Sequence, residues 1–246
     1  MYVQWQTPTS TDLRSMKTLK FWPAALLLST AGIVHVGLAA AAQLSEGEVN
    51  PTNERSNHIE PCCGPISDVG TKLLGVLDQS DVEHLWLPHA HVNWETGMPE
   101  AGAPGYTSHC SAYAAAIGKR LDVYMLRPPE HSPVLLASAQ TAWFGRAAGE
   151  QAGWYPIGTA QQAQSLSNAG ELVVASYESP NPRKPGHIAI VRPSLKSAAA
   201  LAEDGPEITQ AGAQNYTDSN VRTGFKHHDI AGPNGVLYFG HVVRAR

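Results

Sequence analysis

Two residues of the chain have the types and the local settings that nucleophilic catalysis needs. Cys110 follows Thr107 and Ser108, which are good helix N-caps, and it begins a stretch with apolar residues at helical spacing. A cysteine at a helix N-terminus and beside a histidine has a lowered pKa and reacts as a thiolate. His187 begins a short β-branched stretch after a Pro-Gly pair, so we expect its ring at the edge of a sheet. Together they predict a thiol nucleophile with an imidazole base.

The surroundings of this pair can also be predicted in part. A catalytic histidine needs a third group on its far nitrogen, and we expect that group on the strand next to His187. His109 is a rival base, but we discount it because adjacent residues on a helix do not face each other. Tyr106 and Ser111 flank Cys110 in sequence, and we expect both to contact substrate in the cleft.

The elements that would position these residues come as helices first and strands afterwards. Helices are predicted within 67–82, from Cys110, from Pro133 through Ala147, and from the capping box at Thr159 to Gly170. Strands are predicted at 171–175, 187–191, 207–210, 214–216 and 236–243. This order predicts an α+β fold in which helices pack on an antiparallel sheet.

Composition excludes some classes of function. The 246 residues are enough to bury a core, and the formal net charge is only −4. Charged residues make up 15% of the chain and form no basic stripe, so no nucleic-acid partner is expected. The histidines at 84, 89 and 91 and the pair at 227–228 form no converging ligand set, so neither a metal nor another cofactor is expected.

The two remaining cysteines, Cys62 and Cys63, are adjacent. Three alternatives remain for them: a strained vicinal bridge, two reduced thiols, or a bond from one of them to another chain. In each case Cys110 stands apart from them as a separate thiol.

The first 42 residues have the pattern of a secretory signal peptide. Lys17 and Lys20 precede an apolar run at 21–38, and four alanines at 39–42 form a cleavage site. Met16 is the natural start of such a signal, which makes residues 1–15 a candidate spurious extension. Cleavage is favoured over an uncleaved anchor because proline, glycine and histidine interrupt the run.

The rest of the chain divides into two parts on this interpretation. Residues 43–82 are expected to be a leader or linker with one short helix, and residues 83–246 the folded domain. We expect the mature protein in the periplasm or outside the cell, with no stable membrane insertion after cleavage.

Three segments in a set order carry a resemblance to a known family. They are SHCSAY at 108–113, AGELVV at 169–174 and GHIAIV at 186–191. This order resembles the papain-like cysteine hydrolases of the NlpC and CHAP amidase type, over roughly residues 84–246. The resemblance implies a papain-like fold with a catalytic cysteine at a helix N-terminus and a catalytic histidine on a strand.

The resemblance also implies a place for the third catalytic residue, on the strand after the histidine. Gln210 stands at that place, and Asn215, five residues later, resembles the asparagine of CHAP enzymes. We favour Gln210 and keep Asn215 as the alternative. An amide makes one orienting hydrogen bond, although it stabilises an imidazolium less than a carboxylate does.

The implied activity is hydrolysis of amide bonds in peptidoglycan peptides, through a thioester on Cys110. Peptidoglycan or another peptide is the expected partner, and whether a protein inhibitor binds is left open. Two alternatives remain: a secreted antibacterial amidase toxin, and a non-enzymatic module on the same fold that binds the cell wall or a partner protein.

Overall fold

The computed structural model describes residues 61–102, 105–231 and 235–244. The expected signal peptide at 1–42 and the first part of the expected leader, 43–60, lie outside these ranges. Within the ranges, no helix combines the length and hydropathy that a membrane crossing needs.

The described ranges contain seven helices and six strands, joined by loops. The helices are α1 Asp68–Asp78, α2 Cys110–Arg120, α3 Leu136–Phe144, α4 Ala147–Gln151, α5 Ala160–Ala169, α6 Ala198–Asp204 and α7 Val221–Gly224. The strands are β1 Tyr155–Ile157, β2 Leu172–Tyr177, β3 His187–Val191, β4 Glu207–Ala211, β5 Asn215–Asn220 and β6 Leu237–His241. The α+β class with an antiparallel sheet is therefore confirmed.

The six strands form one sheet in the order β1-β6-β2-β3-β4-β5, and every neighbouring pair is antiparallel. All residues of the central strands β2 and β3 are buried, because helices cover both faces of the sheet. Side chains of β3 alternate between two core clusters: Ile188 and Ile190 pack with α2, whereas Ala189 and Val191 pack with the cluster that contains Ala163 of α5.

Helix α2 lies against the strand that carries the histidine. Its run of alanines, Ala114–Ala116, is completely or almost completely buried, and such small side chains allow a helix to approach a sheet closely. Lys119 and Arg120 occupy its last turn, where cations stabilise the negative end of the helix dipole. The N-cap is His109 rather than Thr107 or Ser108, and its side chain makes no capping hydrogen bond.

Two helix boundaries differ from the sequence prediction. Helix α3 begins at Leu136 rather than Pro133, because Leu135 has a left-handed backbone (φ 57°) that cannot belong to the helix. A single helix through Ala147 was also expected, but the chain breaks at Gly145 and α4 starts anew. The short elements β1, α4 and α7 were not predicted, because three to five residues give no measurable period.

Residues 61–82 belong to the same packed unit as the rest of the described chain, so the core extends upstream of the expected boundary at residue 83. Leu73 and Leu77 of α1 lie in one core cluster with Cys110. Asn168 donates a hydrogen bond to the Gly64 carbonyl oxygen (3.1 Å), which ties this segment to the end of α5. Burial of apolar helix faces of this kind is the main source of folding free energy.

Candidate active site

Cys110 is the first residue of α2, and its side chain is 6% exposed. The first N–H groups of a helix have no partner within the helix, so this end of α2 favours a negative charge. Two further groups lie beside the thiol: the backbone N–H of Ile188, and the hydroxyl of Ser108, whose oxygen accepts from the Cys110 N–H (3.4 Å). The sulfur of Cys110 therefore occupies a buried position with several groups that stabilise a thiolate.

His187 is the first residue of β3 and is 4% exposed. Because α2 packs on β3, its imidazole meets the thiol of Cys110, and the two interact through charge and a hydrogen bond. The Nε2 atom of the ring lies 2.9 Å from Oε1 of Gln210. The other ring nitrogen, Nδ1, is therefore the one available to interact with the sulfur of Cys110.

Gln210 lies on β4, next to β3, and is 3% exposed. Its Nε2 atom donates to the carbonyl oxygen of Gln214 (3.0 Å), so its Oε1 atom must be the one that faces His187. An amide oxygen only accepts, so Nε2 of His187 carries a proton and donates a hydrogen bond to Gln210. This assignment leaves Nδ1 able to exchange a proton with Cys110.

Two glycines leave room for the amide of Gln210. A Cβ atom at Gly224 would lie 2.5 Å from Oε1 of Gln210, and one at Gly212 would lie 2.7 Å from its Nε2. Real Cβ atoms do not approach other atoms so closely. Any larger residue at either position would therefore displace the amide from the ring of His187.

The electrostatics of the pair favour the charged forms of both groups. Burial raises the pKa of the Cys110 thiol, but the charge of His187 and the hydrogen bonds from His187, Ser108 and Ile188 outweigh it, so the net pKa is lowered. For His187, burial lowers the pKa, but the charge of Cys110 and hydrogen bonds to Cys110 and Gln210 outweigh it, so the net pKa is raised. The charged form of each group therefore stabilises the charged form of the other.

The structure places Asn215 away from this site. Its Nδ2 atom donates to the carbonyl oxygens of Val82 (2.7 Å) and Leu85 (2.9 Å), so it ties β5 to the segment after α1. Of the two residues proposed for the third position, the structure brings Gln210 to His187 and not Asn215. Their five-residue separation crosses the turn between β4 and β5, which turns the two side chains to different partners.

A pocket of about 410 Å³ opens onto Cys110 and His187. Tyr106 and Ser111, for which the sequence predicts contacts with substrate, both line this pocket. Pro133, Val134, Leu135, Leu136 and Ala137 form an apolar wall. A pocket with one apolar wall and a few converging polar groups is the usual form of a small-molecule or peptide site.

Sequence reasoning missed His228, which also lines this pocket. Its ring stacks on that of His187, with centroids 5.3 Å apart and planes 12° apart. Burial, and after it the charges of His187 and His227, lower the pKa of His228 to about 4. The sequence showed only a His-His pair in a polar stretch, and that pattern does not reveal where either ring points.

His109 does not compete for the role of base. Its Nε2 atom lies 3.0 Å from the Ala90 carbonyl oxygen, and its ring lines a neighbouring pocket of about 320 Å³. Tyr106 and Pro133 border both pockets. The ring of His109 is thus turned away from the sulfur that follows it in sequence.

Cys62 and Cys63 form a vicinal disulfide, which leaves Cys110 as the free thiol of the three cysteines. Among the described residues, no group of three or more His, Cys, Asp or Glu side chains could hold a metal ion. A scan against models of known protein families gives no match, and a search of curated proteins gives no similar protein.

Proposed function

We propose that the chain is a cysteine hydrolase of amide bonds with a papain-like arrangement of its site. One observation carries this proposal: Cys110 at the start of α2 contacts His187, and Nε2 of His187 is bonded to Gln210. A buried cysteine that serves only for packing needs neither the imidazole nor the third residue. Nucleophilic catalysis uses the thiol and the imidazole directly and is assisted by a third group that orients the imidazole.

The geometry supports a two-step reaction. The thiolate of Cys110 attacks the carbonyl carbon, and the N–H groups at the start of α2 stabilise the negative charge that develops on the oxygen. Nδ1 of His187 gives its proton to the leaving amine as the C–N bond breaks, and a thioester remains on Cys110. His187 then takes a proton from water, the hydroxide part adds to the thioester, and the carboxylic acid leaves as the sulfur is released.

Peptides of peptidoglycan are the substrate class that we propose. The resemblance to NlpC and CHAP amidases and the signal-like pattern before residue 43 support this choice. The pocket beside Cys110 supports it as well, because its apolar wall and exposed Tyr106 offer contacts to an extended peptide.

The direct test is hydrolysis of purified peptidoglycan and its soluble stem peptides. We expect Cys110→Ala and His187→Ala to lower the rate by at least about a thousandfold. His84→Ala is the matched control, since the His84 side chain is 79% exposed and forms an ion pair with nearby Asp81. Released amines and carboxylates, identified by mass spectrometry, report the bond that is cut.

Wild-type protein that binds peptidoglycan without cutting it would contradict the proposal and support a binding module. Equal rates in wild type and in folded Cys110→Ala would contradict the assignment of the nucleophile.

A further inference from the structure

The ring of His228 contacts the catalytic imidazole face to face. Its backbone N–H donates to the Phe225 carbonyl oxygen (2.9 Å), in the turn that follows α7. Its ring also lies against Tyr177 of β2, with centroids 5.0 Å apart. The turn and Tyr177 therefore hold His228 in place over His187.

His187 needs such a contact because its hydrogen bonds leave one rotation only weakly restrained. The bonds to Gln210 and Cys110 act at the two ring nitrogens, and turning the ring about its Cβ–Cγ bond carries Nδ1 away from the sulfur. The parallel face of His228 restricts this rotation, and so does the ring of Phe225, which forms a T-shaped contact with His187 at 4.6 Å between centroids. Packing of this kind is how active sites keep a side chain in its productive rotamer.

His228 also has the charge state that this position requires. Its pKa of about 4 keeps it neutral at neutral pH, and the groups that face it are His187 from β3, Tyr177 from β2 and His227 beside it in the chain. A second cation stacked on His187 would disfavour the imidazolium and, through it, the thiolate. A neutral flat ring restricts the motion of His187 without this penalty.

We infer that His228 is a positioning residue, which holds the ring plane of His187 so that Nδ1 stays directed at the sulfur of Cys110. This inference rests on the proposed function, because it concerns the same Cys110–His187 pair. It adds a residue to the site that the resemblance to papain-like hydrolases did not supply.

The test measures alkylation of Cys110 by iodoacetamide across a pH series, in the full chain with its disulfide intact. His228→Leu fills a similar volume without a flat ring, whereas His228→Phe restores a flat ring that cannot titrate. We expect His228→Leu to be labelled about tenfold more slowly at mildly acidic pH, which corresponds to one pKa unit at Cys110, and His228→Phe to match wild type. His84→Leu is the control for a surface histidine, and thermal unfolding checks that each variant is folded.

Labelling of His228→Leu at the wild-type rate would overturn the inference. Equally slow labelling of His228→Phe would overturn it as well, because the ring face would then not be the active feature. A wild-type thiol that is unreactive at acidic pH would contradict the proposed function. That result is distinguishable from failure of the inference about His228, which would show as a reactive wild-type thiol and an equally reactive His228→Leu variant.

Discussion

The chemistry that we propose depends on a sulfur that is almost completely buried and yet has a lowered pKa. Burial alone would raise the pKa of Cys110 and leave an inert thiol. His187 reverses this effect, and Gln210 fixes which of its nitrogens carries the permanent proton. Three side chains from three elements therefore act together in the nucleophile that we propose.

The pH dependence of hydrolysis should follow from the two shifts. The thiolate forms as pH rises through the lowered pKa of Cys110, and the imidazolium is lost as pH rises through the raised pKa of His187. We expect a bell-shaped profile of kcat/KM, with limbs that belong to the coupled pair. Activity that keeps increasing with pH, without any alkaline limb, would contradict an essential imidazolium.

Two substitutions of Gln210 separate the orienting role of its side chain from the effect of a negative charge at this position. In Gln210→Ala, the buried Nε2–H of His187 loses its acceptor, a loss of about 1–3 kcal/mol that should lower kcat about tenfold to a hundredfold. In Gln210→Glu, a carboxylate beside the ring should raise the pKa of His187 further, so the alkaline limb moves to higher pH. Gln161→Ala, at an exposed glutamine of α5, is the control.

An unchanged kcat in Gln210→Ala would show that the packing around His187 is sufficient to orient it. An unchanged alkaline limb in Gln210→Glu would show that the new carboxylate does not face the ring.

At the residue level, the sequence predicted where Cys110 and His187 would stand, because each begins an element with a clear pattern. It left Gln210 and Asn215 as alternatives, since the choice depends on how the turn between β4 and β5 directs each side chain. It did not indicate His228, whose position depends on the turn after α7 and on contacts with β2 and β3. Long-range packing of this kind leaves no local pattern in a single sequence.

At the scale of elements, the junction of α5 and β2 supports the centre of the sheet. The N-cap predicted for α5 is confirmed, since Thr159 accepts a hydrogen bond from the Gln162 N–H (3.1 Å). The helix ends at Gly170, whose backbone is left-handed (φ 97°), as the sequence also predicted. Local sequence signals were sufficient to predict both ends of α5, because N-caps and C-terminal glycines act within a few residues.

Gly170→Ala should destabilise the fold without changing the chemistry of the site. The new Cβ atom would lie 2.5 Å from Cγ1 of Val69, and the left-handed backbone would be strained, for a cost of about 2 kcal/mol or more. Gly145→Ala is the matched control, because its Cβ atom would lie 3.9 Å from the Phe239 ring and its φ is −81°. Urea unfolding measures the difference.

Equal unfolding free energies for Gly170→Ala and Gly145→Ala would contradict the close contact between α1 and the end of α5. A changed pH profile of the folded Gly170→Ala protein would show that this junction also influences Cys110.

At the scale of the whole molecule, α1 is part of the core that supports α2. The sequence predicted its helix but assigned residues 43–82 to a leader, because one short amphipathic helix gives no sign of where it docks. In the structure, Leu77 is completely buried in the cluster that includes Cys110. The described residues before 83 therefore contribute to the stability of α2.

Leu77→Ala should lower the free energy of unfolding by about 2–5 kcal/mol, because the cavity lies in the main core. Leu195→Ala, at a side chain that is 62% exposed, should change it by no more than about 0.5 kcal/mol. Chemical denaturation of both variants tests this difference. A similar loss of unfolding free energy in Leu77→Ala and Leu195→Ala would mean that α1 packs only loosely on the rest of the described chain.

The central claim is that His187 holds the sulfur of Cys110 as an anion. Its most direct test is a titration of the ultraviolet absorbance of the thiolate in wild type and in His187→Ala, with Cys110→Ser subtracted to remove the tyrosine signal. The disulfide between Cys62 and Cys63 contributes no thiolate. We predict that wild type titrates below the ordinary cysteine value of about 8.5 and that His187→Ala titrates at distinctly higher pH, because burial then raises the pKa with less opposition. The same pKa in both proteins, at or above the ordinary value, would contradict the account.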